Sequence, residues 1–179
     1  MRVITGTAGG RKLKSPDGRA VRPTADHVKE AIFNILQFDL EGRRVLDLFG
    51  GSGQLGIEAL SRGAREAVFT DSSRDSVQLI RENLRTCGLS GTVLQTDALN
   101  YLDRGGKFDV IFIDPPYDGG LYEAVLKRIN AVDNLTEGGI IVCEARAGTR
   151  MPEMTAPYRK LRERKYGSVK ICLYTKDAL

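Results

Sequence analysis

The chain has 179 residues, of which 41% are hydrophobic and 28% charged, and its net charge is +4. This length is enough for one domain with its own core, and the composition excludes a largely disordered protein. The N-terminus lacks the apolar region of a secretory signal and no apolar run is long enough to cross a bilayer, so we expect a cytoplasmic protein.

The three cysteines, Cys87, Cys143 and Cys172, are far apart in the sequence. The chain contains no C-x-x-C pair, and His27 is the only histidine that could join the cysteines as a metal ligand. We therefore predict neither a disulfide framework nor a bound metal.

Basic residues are concentrated near both ends of the chain. The clusters are Arg2, Arg11, Lys12, Lys14, Arg19 and Arg22 at the start, and Arg159, Lys160, Arg162, Arg164, Lys165 and Lys170 at the end. Such clusters attract a phosphate backbone, although a solvated basic surface has the same composition. Charge alone leaves both interpretations open.

We predict a single domain over residues 1–179. Residues 1–23 are rich in glycine, basic residues and turn signals, which indicates a basic N-terminal arm or hairpin. Residues 24–38 are predicted to form a leading helix, which Thr24 can cap and whose apolar stripe is Val28, Ile32, Ile35 and Leu36.

From Arg44 onward, short apolar runs alternate with segments of helical periodicity. The runs are "RVLDL", "AVFT", "TVLQT", "FDVIFI" and "GIIVCE", and they are typical of strands covered on both faces. This alternation predicts an α/β fold with a Rossmann-like, doubly wound, mostly parallel sheet. Two extended stretches around Gly167 and Ser168 predict a C-terminal antiparallel hairpin.

An aspartate follows each of four successive strands. These residues are Asp47, Asp71, Asp97 and Asp114. Ligands of open parallel sheets bind beyond the carboxyl ends of the strands, so the four side chains are expected at one edge. Asp97 alone is equally well explained as a helix cap. Four like charges in one cleft favour a ligand that is cationic or rich in hydroxyl groups.

The segment "GSGQLG", Gly51 to Gly56, matches the dinucleotide fingerprint, and Asp71 lies 20 residues beyond its first glycine. A nicotinamide-dependent enzyme is therefore one alternative. A pyrophosphate would be repelled by Asp47 and Asp114, however, whereas a sulfonium and an ammonium group would be attracted. S-adenosylmethionine fits better, and its predicted binding residues are Asp47, Phe49, Gly50, Gly51, Ser52, Gly53, Asp71, Ser72, Asp97 and Ala98.

Four segments together resemble a known family. "RPTADHVKEAIFNIL", "LDLFGGSGQLGIEALSRGA", "FIDPPY" and "KYG" are similar to the bacterial small-subunit (16S) ribosomal RNA guanine 2-amino methyltransferases of the RsmD type, over nearly the whole chain. The resemblance implies a class I methyltransferase fold, S-adenosylmethionine as methyl donor and a guanine 2-amino group as acceptor. The chain departs from the family at Gly51, Asp71 and His27, where Ala, Glu and Arg are usual.

The segment "DPPY" follows a predicted strand that must stop at Ile113, because proline cannot continue a central strand. We predict that Asp114, Pro115, Pro116 and Tyr117 are catalytic. The Asp114 carboxylate and the Pro115 carbonyl would accept hydrogen bonds from a planar amine, and Tyr117 would stack on its base.

The predicted substrate-binding residues are Arg11, Lys12, Arg22, Thr24 and Tyr117. The implied partner is ribosomal RNA, and a partly assembled small subunit is one candidate form of the substrate. An adenine methyltransferase acting on DNA or another RNA remains an alternative, because the amine clamp does not identify the base. A nicotinamide-dependent oxidoreductase and a non-catalytic RNA-binding adaptor are more remote alternatives.

Overall fold

The computed structural model describes residues 1–16, 23–37, 39–116 and 120–178, and for residues 23–25 it describes the backbone alone. The strands are β1 (Arg44–Asp47), β2 (Glu66–Asp71), β3 (Thr92–Gln95), β4 (Phe108–Ile113), β5 (Leu135–Arg146), β6 (Tyr158–Tyr166) and β7 (Val169–Lys176). The helices are α1 (Pro23–Ile35), α2 (Gln54–Ser61), α3 (Arg74–Cys87), α4 (Ala98–Leu102) and α5 (Leu121–Val132).

In the described part of the chain, seven strands form one sheet in the order β3-β2-β1-β4-β5-β7-β6. The first five are parallel to one another, whereas β7 is antiparallel to both β5 and β6. The predicted α/β fold with a C-terminal antiparallel hairpin is therefore confirmed. β1 lies at the centre of the parallel part, with β2 and β3 on one side and β4 and β5 on the other. The order of the strands reverses at β1, and such sheets bind ligands at the point of reversal.

Helices cover both faces of the sheet. One face packs against α1, α2 and α3 through a core that includes Phe33, Phe69 and Phe112. The other packs against α4 and α5 through a second core that includes Leu46 and Ile113. Buried side chains on both sides explain why the strand sequences are almost continuously apolar.

The leading helix differs from its predicted bounds. It begins at Pro23, so Thr24 lies in its first turn and is not the residue before the helix. Proline is favoured at the first helical position because that position needs no N–H donor and its fixed φ suits the helix. The helix ends at Ile35 and not at residue 38, which lies outside the described residues. Leu36 is nevertheless fully buried in the core beside this helix.

Residues 1–13 fold back on themselves, with Arg2 paired antiparallel to Lys12. The backbone N–H groups of Ile4 and Thr5 donate to the Glu58 carboxylate over 2.7 and 3.0 Å. Farther along, the N–H of Lys14 donates to Oδ1 of Asn83 over 2.8 Å. The N-terminal segment is thereby attached to α2 and α3. Among the helices of the described residues, none is long and apolar enough to cross a membrane.

Candidate active site

Carboxylates meet at the edge where the parallel strands end. Asp47 is the last residue of β1 and pairs with Phe69, and Asp71, the last residue of β2, lies two residues beyond that partner. Asp114 follows Ile113, where β4 ends as its two prolines require. The structure therefore brings together three of the acids predicted from strand ends.

Asp47 is the most deeply buried of these acids, with 2% of its surface exposed. Its Oδ2 accepts a hydrogen bond from the N–H of Gly56 over 3.0 Å. Burial raises the pKa of Asp47 to about 7, the Gly56 hydrogen bond opposes this rise, and repulsion from Asp114 and Asp71 adds to it. The site thus concentrates negative charge in a poorly solvated place.

The glycine loop crosses this edge between β1 and α2. Gly51 and Gly53 have φ values of +56° and +79°, which L side chains rarely adopt. A Cβ on Gly50 would lie 2.7 Å from Cδ1 of Ile80, so a larger residue there would require the end of the Ile80 side chain to move. The loop backbone is consequently open to the close approach of a ligand.

Asp71 holds the glycine loop to the end of β2. Its Oδ2 accepts from the N–H of Gly51 over 2.9 Å and its Oδ1 from the N–H of Ser73 over 2.8 Å. Each carboxylate oxygen can accept a further hydrogen bond, so Asp71 can still bind ribose hydroxyls. Ser72, beside it, is exposed and its carbonyl accepts from the Gln95 side chain.

Asp97 caps α4, which is the alternative role considered for it. Its Oδ1 accepts from the N–H groups of Leu99 and Asn100 over 2.9 and 3.2 Å. Ala98 is the buried first residue of α4. Asp97 follows β3 at the same edge of the sheet. Both cap bonds use Oδ1, so Oδ2 is available for a ligand.

A fifth acid, Glu144, completes the cluster and was not predicted. Ile113 pairs with Cys143 in the parallel register, and Asp114 and Glu144 are the residues that follow this pair, on two strands whose backbones lie about 4.8 Å apart. Burial raises the pKa of both carboxyls, and repulsion from Asp114 raises that of Glu144 further. The rule that located the four aspartates also applies to the glutamate of "GIIVCE", the fifth apolar run.

The remaining predicted residues have different placements. Phe49 is half-buried and packs against the core beneath α4 and α5. Ser52 is buried, and its Oγ lies 3.2 Å from Sδ of Met1. Pro115 is buried, whereas Pro116 is exposed. Tyr117 lies outside the described residues, so its predicted stacking is not tested.

Of the predicted phosphate contacts, Arg11 lies away from this edge. The guanidinium of Arg11 donates to the Thr86 carbonyl over 3.2 Å, at the C-terminal end of α3. That end is about 18 Å along the helix from the residues near Asp71. Lys12 is exposed and Arg22 lies outside the described residues, as does the side chain of Thr24. His27 is on the surface, 3.7 Å from Glu30.

The site residues fit a cationic cofactor such as S-adenosylmethionine. Oε1 of Gln54, the first residue of α2, is buried without a hydrogen-bond partner in the described part of the chain. An acceptor without a donor is costly in such a place, and an ammonium group would supply donors. The clustered carboxylates would be stabilised by the same positive charge.

Comparison with known proteins places the chain in a family. The model of the family described as "Conserved hypothetical protein 95" (Cons_hypoth95) matches residues 1–175. The chain belongs to this family. Its similarity to a curated protein named "Ribosomal RNA small subunit methyltransferase D", from Escherichia coli K12, is 34% identity over 180 residues, covering 99% of this chain and 91% of that protein.

Two further matches span almost the full length of both partners. YlbH of Bacillus subtilis, named as a candidate rRNA methyltransferase, is 40% identical over 182 residues, covering 98% of this chain and 99% of YlbH. The solved structure of YhhF from Escherichia coli has a TM-score of 0.89 and 31% identity, covering 100% of this chain and 99% of that one. The methyltransferase names of these relatives favour methyl transfer over the nicotinamide alternative.

Proposed function

We propose that this protein transfers a methyl group from S-adenosylmethionine to the 2-amino group of a guanine in small-subunit ribosomal RNA, in the cytoplasm. The observation that carries the proposal is the position of Asp114, which lies beside Glu144 at the strand edge that also holds the glycine loop. The relatives named rRNA methyltransferases support the substrate class. A partly assembled subunit is the form of substrate that we favour.

Each part of the edge has a role in binding the cofactor. Asp71 would hold the ribose hydroxyls, Asp97 and Ala98 would lie beside the adenine, and the glycine loop would contact the methionine end. The buried carboxylate of Asp47 would stabilise the positive charges without contributing a competing donor. When bound, S-adenosylmethionine supplies an electrophilic methyl group on a sulfonium.

The acceptor amine is held by "DPPY". The lone pair of the guanine 2-amino group is delocalised into the ring, so the amine is a weak nucleophile. The Asp114 carboxylate and the Pro115 carbonyl would accept its two N–H groups and turn the lone pair toward the methyl group. Pro115 and Pro116 fix the backbone that presents these acceptors.

The amine becomes acidic once it is alkylated, so it needs a nearby proton acceptor only after the transfer. The raised pKa of Asp114 suits it to accept that proton, and Glu144 is the adjacent group to which the proton can pass. The target guanine must come from a loop or be flipped out, because an amine inside a helix cannot enter this clamp.

The test is nucleoside mass spectrometry after incubation of the protein and labelled S-adenosylmethionine with unmodified small-subunit particles, free ribosomal RNA or DNA. We expect label on N2 of guanosine from a ribosomal substrate. Asp114→Asn should reduce the rate at least about 100-fold, because it removes the acceptor charge at the reacting amine. Glu137→Gln, which changes an exposed carboxylate on β5, is the matched control and should be as active as wild type.

The other outcomes separate the alternatives. Label on adenine would contradict the guanine assignment, but it would leave the assignments of the cofactor and of the amine-binding residues unchanged. A thermal stabilisation by NAD and none by S-adenosylmethionine would support an oxidoreductase. RNA binding without methyl transfer to any substrate would support a non-catalytic adaptor.

A further inference from the structure

We propose that the groove between α1 and the C-terminal hairpin binds the phosphate backbone of the RNA, with Arg162 and Arg164 contacting phosphates and Tyr166 contacting a base. This hairpin groove has a volume of about 680 Å³ and is lined by α1 on one side and by β6 and β7 on the other. The inference rests on the proposed function, and it assigns RNA binding to a surface that does not include the predicted contact at Arg11.

The strand register determines which side chains of β6 face the groove. Arg162 pairs with Leu173, Arg164 with Ile171 and Tyr166 with Val169. Residues directly opposite in an antiparallel pair project from the same face of a sheet. Leu173 and Ile171 belong to the core beneath α1, so the three β6 side chains lie on the α1 face.

The cations of the hairpin are divided between the two faces. On the opposite face, Nζ of Lys160 lies 2.5 Å from Glu153 and Nζ of Lys170 lies 2.8 Å from Glu163. Arg162 and Arg164 form no ion pair with any described residue. Asp39 is the only acid among the described residues that line the groove, so positive charge is left over on this face.

Apolar groups accompany the two arginines. Leu161, at a register shift in β6, is 46% exposed and lines the groove, and Tyr166 is half-buried against the core. Arginines interleaved with an exposed leucine and an aromatic ring form a surface suited to single-stranded RNA, whose backbone is anionic and whose bases stack.

The groove leads toward the reacting edge. Glu144 pairs with Ile171, which pairs with Arg164, so these three residues form one row across the sheet. At about 4.8 Å per strand, Arg164 lies about 10 Å from Glu144 and about 14 Å from the chain that carries Asp114. Arg162 is one step farther from the edge and Tyr166 one step nearer, with about 7 Å between successive side chains on this face.

Protection of an edge strand also favours charged residues, because they discourage pairing with another chain. Cations on either face of β6 would protect the edge strand, and they would do so with or without a carboxylate partner. The unpaired arginines on the α1 face, of which Arg164 lies in the row that leads to Glu144, are instead accounted for by an anionic ligand that extends to the active site.

The test compares Arg162→Ala/Arg164→Ala with Arg65→Ala/Lys127→Ala, which removes two exposed cations from other surfaces. Binding of unmodified small-subunit ribosomal RNA is measured by fluorescence anisotropy over a range of salt concentrations. In the groove variant we expect weaker binding and a salt slope smaller by about 1.4, from two lost phosphate contacts. The KM for RNA should rise while kcat at saturating RNA stays unchanged.

The control variant should match wild type in slope, and all proteins should show the same thermal stabilisation by S-adenosylmethionine. A groove variant with wild-type affinity and slope would overturn the proposal while the proposed function stands, provided wild type methylates the RNA. If wild type neither binds nor methylates ribosomal RNA, both fail. Unchanged affinity together with an altered oligomeric state by light scattering would identify a protein interface and overturn RNA binding here.

Tyr166→Leu separates stacking from charge. Loss of one stacked base is expected to weaken RNA binding by about tenfold without changing the salt slope. Wild-type affinity in this variant would remove Tyr166 from the proposed site and leave a surface that binds by charge alone.

Discussion

The single residue Asp47 destabilises the folded protein when it is ionised, because its carboxylate is buried. The pKa of Asp47 is about 7 in the folded protein against 3.8 for an ordinary aspartate. Between about pH 4 and pH 7 the folded state therefore holds a proton that the unfolded state has released. Stability falls as the pH rises through this window, by up to about 4 kcal/mol from this residue.

We predict that Asp47→Asn stabilises the protein above pH 7 and changes its stability little at pH 4. The asparagine stays neutral and its carbonyl oxygen can still accept from Gly56, so the loss on deprotonation disappears. Urea denaturation at both pH values measures the free energy of unfolding. The same variant should bind S-adenosylmethionine at least tenfold more weakly. Equal stability of wild type and variant at pH 8 would contradict the prediction.

At the scale of elements, Glu58 connects the N-terminal segment to α2. Its carboxylate is fully buried, accepts from Ile4 and Thr5, and lies 2.8 Å from Arg62 and 3.7 Å from Lys29. Burial lowers the pKa of Lys29, and Glu58 is the largest influence that opposes this. Four partners thus depend on one buried charge.

We predict that Glu58→Gln lowers the free energy of unfolding by about 3 kcal/mol, because Lys29 loses its buried counter-charge. Chemical denaturation monitored by circular dichroism provides the measurement. Glu82→Gln, which breaks the exposed pair with Lys14, is the control and should change stability little. Adding Lys29→Met to Glu58→Gln should recover part of the loss, and no recovery would show that the backbone contacts, not the ion pair, dominate.

Across the whole molecule, the cluster of carboxylates links ligand binding to pH. Asp47, Asp114 and Glu144 have raised pKa values, and they ionise as the pH passes from acidic to slightly alkaline. A cationic ligand binds the ionised cluster better than the protonated one.

We therefore predict that S-adenosylmethionine raises the melting temperature more at pH 8 than at pH 5.5. Thermal unfolding at fixed ligand concentration and ionic strength measures the difference. In Asp47→Asn the pH dependence should be smaller, because one ionising group is gone. A ligand-induced shift that is the same at both pH values would show that the cluster does not respond to the charge of the ligand.

Local patterns predicted much of this fold. The five apolar runs gave the parallel strands, Gly88 ends α3 in the left-handed conformation, and the two prolines mark the end of β4. These features depend on neighbouring residues and on the properties of glycine and proline. Thr24 was predicted as the cap two positions too late, because threonine and proline both occur at helix starts and proline determined the first helical residue.

The parts that were not predicted depend on long-range register. Glu144 becomes a partner of Asp114 only through the pairing of β4 with β5, and Cys143 faces Cys172 only through the pairing of β5 with β7. Arg11 could not be placed from its own charge, because contacts between the N-terminal segment and the helices α2 and α3 position it. A glutamate within the otherwise apolar "GIEAL" was a signal of that attachment.

The attachment of the N-terminal segment also affects the order in which the chain folds during its synthesis. Ile4 and Thr5 bind a residue 54 or 53 positions away, and the partner of Lys14 is 69 positions away. At about 5 to 20 residues per second, Lys14 is added roughly 3 to 14 s before Asn83, and Ile4 and Thr5 are added earlier still. The N-terminal segment therefore reaches its final position only after α2 and α3 have been made. Substitutions there should mainly accelerate unfolding and leave the folding rate almost unchanged.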